Sequence, residues 1–180
     1  MNDHTQVCWF VMRDLKRHNA LLPAYKMLAE RGFEVFTPMK WVLSPRLRGG
    51  KRERKAVPFM QDLLFVRDCR RNLDPVVEIT PTLQYRYLRH GYCLPMTVRD
   101  EDMERFITAV NSTESIRYYK PEEITPAMHG RKIRIVGGAL DGFDGTLVTT
   151  RGSKVKRLLV ELPNLLSAGV EVNPEYIQFI

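Results

Sequence analysis

The sequence predicts an α+β protein in two parts, a sandwich of one antiparallel sheet with helices packed on it and then a small β-barrel. Strand and helix patterns alternate up to residue 110, whereas residues 111–128 lose this periodicity. Short strands separated by glycine turns fill the remainder. We therefore predict a first domain over residues 1–111, a linker over 112–128 and a second domain over 129–180.

The first domain opens with an apolar run from Val7 to Met12, which is typical of a buried strand. A helix should follow, with Asn19 as its N-cap and Gly32 as its stop. The apolar stripe of this helix has the spacing of one helix face and consists of Leu21, Tyr25, Leu28 and Ala29.

Two further helices and a strand complete this domain. Asp74-Pro75 predicts the start of a short helix, because proline costs least at the first helical position. Alternation over residues 83–88 predicts a strand. Three acids at residues 100–102 favour the positive end of a last helix, which Asn111 ends.

The middle of the stretch from Val35 to Val66 is crowded with positive charge. Apolar segments at both ends predict two antiparallel strands joined by a long hairpin loop, with Gly49-Gly50 as a turn signal. Only Glu53 opposes the cations of this loop, which are Arg46, Arg48, Lys51, Arg52, Arg54 and Lys55. Such a loop projects into solvent or onto a polyanion.

In the second domain, alternation predicts strands over residues 132–136, 146–149, 155–162 and 177–180. Closing them into a barrel would remove exposed strand edges. Ile135, Leu147 and Val160 should then face the interior, and Gly142 should occupy a turn that needs a positive φ.

The formal net charge of +7 is unevenly distributed. Residues 1–110 hold 19 Lys and Arg against 13 Asp and Glu, and the rest hold 9 against 8. Nucleic acid is the usual partner of such a basic part, and solubility alone is the other interpretation. Three separated cysteines, no signal peptide and no membrane-length apolar run predict a cytoplasmic protein.

The sequence shows no catalytic or cofactor motif. It has no Gly-x-x-x-x-Gly-Lys-Ser/Thr loop, no Gly-x-Ser-x-Gly elbow and no metal-type spacing of His or Cys. His90 and Cys93 are close enough to suggest a base and a nucleophile, but nothing else supports catalysis. We predict no enzyme, no cofactor and no metal site.

Four stretches stand out by their order and spacing. They are Trp9-Phe10-Val11, Thr37-Pro38 with the basic run from Arg48 to Lys55, Pro95-Met96-Thr97-Val98 before Asp100, and Arg134 to Gly145. Together they resemble the NusG family of transcription elongation and antitermination factors over nearly the whole chain, the last stretch being similar to the family's KOW motif. The paralogues that the chain resembles most are RfaH-like and Bacteroides UpxY-like antiterminators, the latter acting on capsular-polysaccharide operons.

The resemblance implies an amino-terminal NGN domain with a ferredoxin-like sandwich and a carboxy-terminal SH3-like barrel. It also implies a monomer that docks the clamp helices of RNA polymerase, bridges the DNA cleft and increases processivity without a cofactor. A ribosomal-type RNA-binding protein is the alternative, because KOW-like barrels also occur there. Residues 130–180 hold 7 basic against 5 acidic side chains, which argues against that alternative.

Carried onto this chain, the resemblance implies three sets of binding residues. The polymerase cavity would be lined by Met60, Leu63, Phe65, Tyr85 and Tyr87. Non-template DNA or nascent RNA would contact Arg13, Lys16, Arg17 and His18 together with Arg46, Arg48, Lys51, Arg52, Arg54 and Lys55. A ribosomal protein or termination factor would contact Leu140 and Phe143. The alternatives are that the first set is ordinary core, that the cations are merely solvated, and that the last pair covers the barrel's own end.

Overall fold

The computed structural model describes residues 4–17, 20–44, 52–148 and 152–180, which form a mixed α/β structure with three α-helices. The chain divides into two compact units, Met1–Asp100 and Glu101–Ile180. This division lies before the last helix, whereas the predicted boundary at residue 111 lies after it. No helix in the described ranges is long and apolar enough to span a bilayer.

The first unit is built on one antiparallel sheet. Its elements are β1 Cys8–Asp14, α1 Ala24–Glu30, β2 Glu34–Phe36, β3 Met39–Leu43, β4 Arg54–Pro58, β5 Leu64–Asp68, α2 Arg70–Ile79, β6 Leu83–Tyr85 and β7 Thr97–Val98. The strand order is β2-β5-β1-β6, with β7 also on β1, and every pairing is antiparallel. The two strands joined through α1, β1 and β2, are therefore separated in the sheet by β5. The two strands joined through α2, β5 and β6, are separated by β1.

One face of this sheet packs against both α1 and α2. Alternate residues of the strands point to that face and meet apolar residues of the two helices. The large members of the buried cluster are Phe10, Met12, Leu28, Leu64, Val66, Leu73, Leu83 and Tyr85. Burial of each such side chain contributes about 1.5–3 kcal/mol, so this layer is the main stabilising core of the first unit.

Helix α1 begins at Ala24, with Pro23 at the N-cap position. The predicted cap, Asn19, lies outside the described residues. A carboxylate from β1 supplies the missing acceptor, because Asp14 Oδ2 accepts a hydrogen bond from the backbone N–H of Ala24 at 2.6 Å. Asp14 is only 5% exposed, so strand and helix are joined by a buried charge-assisted bond.

The predicted start of the second helix at Asp74-Pro75 is wrong. Helix α2 begins at Arg70 and contains Pro75 in its interior. Asp68, just before the helix, accepts hydrogen bonds from the Cys69 N–H at 2.6 Å and the side chain of Asn72 at 2.7 Å. Asp74 instead pairs with Arg70 one turn earlier, at 3.2 Å. Local sequence rules identified the proline but not the helical turn before it.

The stretch from Val35 to Val66 forms parts of four strands rather than two. Its outer segments, β2 and β5, pair in the main sheet, and its inner segments, β3 and β4, form a separate two-stranded ribbon. Pro38 separates β2 from β3, because proline has no N–H for a sheet ladder. Its carbonyl accepts the N–H of Phe59 at 2.8 Å and closes the base of the ribbon.

The second unit is built on a six-stranded antiparallel sheet. Its elements are α3 Asp100–Asn111, β8 Ile116–Tyr119, β9 His129–Ile135, β10 Asp144–Val148, β11 Arg157–Leu162, β12 Leu166–Glu171 and β13 Ile177–Phe179. The strand order is β13-β9-β10-β11-β12-β8. Among the described strands, β13 and β8 are not paired with each other, so an SH3-like closed barrel stays a prediction.

The predicted linker contains structure of its own. Strand β8 pairs with β12, and Ile124 and Met128 pack against a cluster of Tyr119, Val148 and Leu159. The segment thus covers one face of the second sheet. Strand β12, which is buried from Leu166 to Val170, was not predicted.

The interior positions predicted for this unit are confirmed. Ile135, Leu147 and Val160 are buried. Gly142 has φ of +79°, which also confirms the predicted turn glycine.

Candidate nucleic-acid interface

The loop after β1 is held in place by the buried carboxylate of Asp14. Oδ1 accepts the backbone N–H of Lys16 at 3.0 Å, while Oδ2 binds the start of α1. The ammonium of Lys16 donates to the carbonyl of Leu22 at 2.7 Å. Lys16 is therefore partly used to hold the loop, whereas the next cation, Arg17, is exposed.

A basic cleft of about 360 Å³ lies between this loop, α1 and the β3–β4 ribbon. It is lined by Arg17, Ala20, Pro23, Tyr25, Lys26, Lys55, Ala56, Val57, Pro58 and Gln61. Three of these side chains are cationic and none is acidic. The fold therefore brings together two predicted nucleic-acid residues, Arg17 and Lys55, that are far apart in the sequence.

Two residues of the cleft that could contact nucleic acid were not predicted as binding residues. Lys26 is exposed on α1, and Tyr25 beside it is partly buried against the main core. The sequence places Tyr25 in the apolar stripe of the helix, and Lys26 next to it has the pattern of an ordinary polar helix position. Only the placement of the ribbon next to α1 makes Lys26 part of a cationic surface.

The cleft has the chemistry of a phosphate site. Lysine ammonium and arginine guanidinium groups donate only, and phosphate oxygens accept. Each phosphate neutralised on duplex DNA adds about −0.9 to the slope of log affinity against log salt. Three cations acting together would therefore contribute about −2.7.

The ribbon extends this basic surface. Arg52, Arg54 and Lys55 are exposed, the Arg54 guanidinium lies 5.2 Å from the centre of the Trp41 ring, and Lys40 lies 5.5 Å from that of Phe59. The remaining predicted contacts fall outside the described residues and are His18, Arg46, Arg48 and Lys51.

Arg13 does not join the cleft. Successive residues of β1 point to opposite faces, so Arg13 faces away from the side on which Asp14 binds α1. Its guanidinium lies 3.7 Å from Asp62, which also accepts a hydrogen bond from Arg86 at 3.1 Å. Burial lowers the pKa of Arg86. The carboxylate of Asp62 offsets the positive charge of Arg13, which makes Arg13 a weaker candidate for phosphate than Arg17.

The predicted polymerase-binding residues are divided by burial. Leu63, Phe65 and Tyr85 are at most 4% exposed, as the core alternative expects, whereas Met60 is half-buried and Tyr87 is 51% exposed. The hydroxyl of Tyr85 donates to Asp74 Oδ1 at 2.9 Å, and burial is the main cause of its raised pKa. Only Met60 and Tyr87 present surface to a partner without repacking, and the binding role of all five stays a prediction.

The predicted partner surface of the second unit is also divided. Leu140 is 5% exposed, which favours the alternative that it covers its own fold. Phe143 is half-buried, with the Arg105 guanidinium 4.9 Å from its ring centre. Arg105 also donates to the carbonyl of Asp144, whose carboxylate accepts two bonds from Arg134 at 2.6 and 2.7 Å. Hydrogen bonding to Arg134 is the main reason that the pKa of Asp144 is lowered.

The chain was compared with known families, curated proteins and solved structures. No family model and no curated protein matches the chain. A solved structure described as "Domain interaction in Thermotoga maritima NusG" is similar to it with 15% sequence identity and a TM-score of 0.46. The likeness covers 97% of this chain and 98% of the other.

Proposed function

We propose that this chain is a transcription elongation and antitermination factor of the NusG type that binds RNA polymerase through its first unit. The strand order β2-β5-β1-β6 is the order of a split β-α-β sandwich, which is the ferredoxin-like arrangement that the sequence resemblance implies. The observation that carries the proposal is the cationic cleft on the first unit. A second antiparallel unit follows it along the chain. The stretch from Arg134 to Gly145 spans the turn between β9 and β10 in that unit.

Binding to polymerase and to nucleic acid would use different parts of the first unit. Met60 and Tyr87 supply the accessible apolar surface for the clamp helices. The cleft and the ribbon supply the cations for non-template DNA or nascent RNA. A protein held at both places increases processivity, because it links the two sides of the DNA channel. No catalytic group or cofactor is required.

The second unit would recruit a ribosomal protein or a termination factor. Phe143 is the more accessible of the two predicted contacts, and the Arg105 guanidinium beside it adds a cation to the surface. The sequence resemblance to UpxY-like and RfaH-like proteins supports an operon-specific, cytoplasmic role of the capsular-polysaccharide type. The hairpin of basic residues fits such a role at the DNA.

Two measurements on the full chain test the proposal. Core RNA polymerase should retain the protein in a pull-down, and transcription in vitro through a pause or terminator should give more full-length product when the protein is added. Tyr87→Ala should weaken retention, whereas Tyr92→Ala, a change at an exposed tyrosine outside the predicted set, should not. A folded protein that neither binds polymerase nor changes read-through contradicts the proposal.

A further inference from the structure

An exposed tryptophan lies on one face of the β3–β4 ribbon. The strand register places Trp41 opposite Ala56 and Leu43 opposite Arg54, so these four residues share a face. Trp41 is 53% exposed and Leu43 is 58% exposed. Trp41 is not among the residues that line the basic cleft, so the cleft does not account for it.

The charges around this indole indicate what could cover it. The Arg54 guanidinium lies 5.2 Å from the ring centre, and Arg52, two residues before it, is also exposed. Lys55 points to the opposite face of the ribbon and lines the basic cleft. Proteins that bind single strands combine exposed aromatic rings, on which bases stack, with cations that contact the flanking phosphates. The surface around Trp41 has both components.

We propose that Trp41 stacks on an unpaired base of single-stranded DNA while Arg54 contacts an adjacent phosphate. This inference rests on the proposed function and specifies the form of DNA that the ribbon takes. An unpaired strand is required, because bases in a duplex cover each other's faces and cost a few kcal/mol to unstack.

The same face gives RNA no advantage over DNA as the ligand. Selection for RNA depends on a polar group that recognises the 2′-hydroxyl. Beside Trp41 the face presents Leu43 and Ala56, which are apolar, and Arg54, which is assigned to phosphate. Among the described residues of this face, none therefore presents a group that would reward a ribose over a deoxyribose.

The protein contains its own probe for this contact. The chain has two tryptophans, and the other one, Trp9, is 2% exposed in the main sheet. Titrating the full chain with oligo(dT) at low salt should quench the tryptophan fluorescence through Trp41. Trp41→Phe should abolish the quenching, because only the buried Trp9 then remains. A duplex of equal length should not quench Trp41, and equal quenching by duplex would overturn the stacking assignment.

Anisotropy of a labelled oligo(dT) measures the affinity independently of the indole. Trp41→Leu should weaken binding by about 5- to 150-fold, the effect of losing one stacked base, and Trp41→Phe should stay within about threefold because it keeps a ring. Tyr92→Leu is the matched control, because it removes a 99% exposed aromatic elsewhere in the first unit and should have no effect. Unchanged binding in Trp41→Leu, or an equal loss in Tyr92→Leu, would overturn the proposal.

Tighter binding of oligo(U) than of oligo(dT) would overturn the DNA assignment.

Two other results separate this proposal from the function on which it rests. A protein that needs Trp41 for oligo(dT) but neither binds polymerase nor changes read-through would retain the stacking site and lose the proposed function. A protein that changes read-through equally well with Trp41→Leu, and binds oligo(dT) equally well, would retain the function and lose the site.

Discussion

Two strand pairs between residues 34 and 68 have the same antiparallel geometry and opposite environments. The β2–β5 pair lies in the main sheet, where Phe65 and Val66 are fully buried, and the β3–β4 pair forms the ribbon, where Trp41 and Leu43 are more than half exposed. Both pairs contain large apolar side chains. What separates them is the proline between β2 and β3 and the place of β5 beside β1. Apolar content alone therefore does not show which strands form the core.

The largest expected difference between the two pairs is in stability. Phe65→Ala should lower the free energy of unfolding by about 3–5 kcal/mol, because it leaves a cavity at a fully buried position. Leu43→Ala should change it by less than about 0.5 kcal/mol, because that side chain is already exposed. Urea unfolding followed by circular dichroism measures both. A similar loss for the two variants would show that the ribbon is part of the core.

The next effect concerns the basic cleft beside the β3–β4 ribbon. Replacing Arg17, Lys26 and Lys55 together by Gln should weaken binding to duplex DNA by about two orders of magnitude near 0.1 M salt and reduce the salt slope by about 2.7. Stability should change little, because all three are exposed. Arg31, Arg71 and Arg89 are exposed cations outside the cleft, and their triple Gln variant is the control. An equal fall in the control would mean that only total charge matters.

A smaller effect is expected where the core meets the cleft. Asp14→Ala should cost about 1–2 kcal/mol of stability, because the N–H of Ala24 loses its acceptor at the start of α1. The loop that carries Arg17 also loses its bond to Lys16 N–H, so DNA affinity should fall with it. Asp14→Asn keeps one acceptor oxygen and turns a donating NH2 group towards the other N–H, so it should recover at most one of the two bonds. Thermal unfolding and the same anisotropy titration distinguish the variants.

The smallest expected effect concerns an exposed ion pair between two strands of the second unit. Arg134 and Asp144 pair across β9 and β10, and the folded pKa of Asp144 is below its ordinary value of 3.8. A lowered folded pKa stabilises the protein above pH 3.8, and this contribution disappears as the pH falls through the folded value. The melting temperatures of wild type and Asp144→Asn should therefore differ slightly at pH 7 and converge in acid. A difference that grew in acid would contradict this sign.

Much of the candidate site could be named from the sequence, but its grouping could not. Arg54 and Lys55 follow from charge clustering and Arg17 from the family resemblance, and each is exposed in the structure. Arg13 belongs to the same predicted set as Arg17, yet strand alternation turns it towards Asp62. Lys26 gives no signal, because its part in the cleft depends on a ribbon some thirty residues further along the chain. Large side chains such as Leu63, Phe65 and Tyr85 are expected both in a binding cavity and in a protein core. Only their burial in the folded structure distinguishes the two cases.

The sequence by itself determined the α+β class, the helix Asp100–Asn111, the turn at Gly142 and the excess of positive charge in the first part. These features depend on nearest neighbours along the chain, so local rules are sufficient for them. Tertiary structure decided that the basic stretch from Val35 to Val66 divides into a core pair and a ribbon, and that residues 116–119 join the second sheet. Strand pairing and burial link distant residues, and no local pattern encodes which distant partner a strand finds.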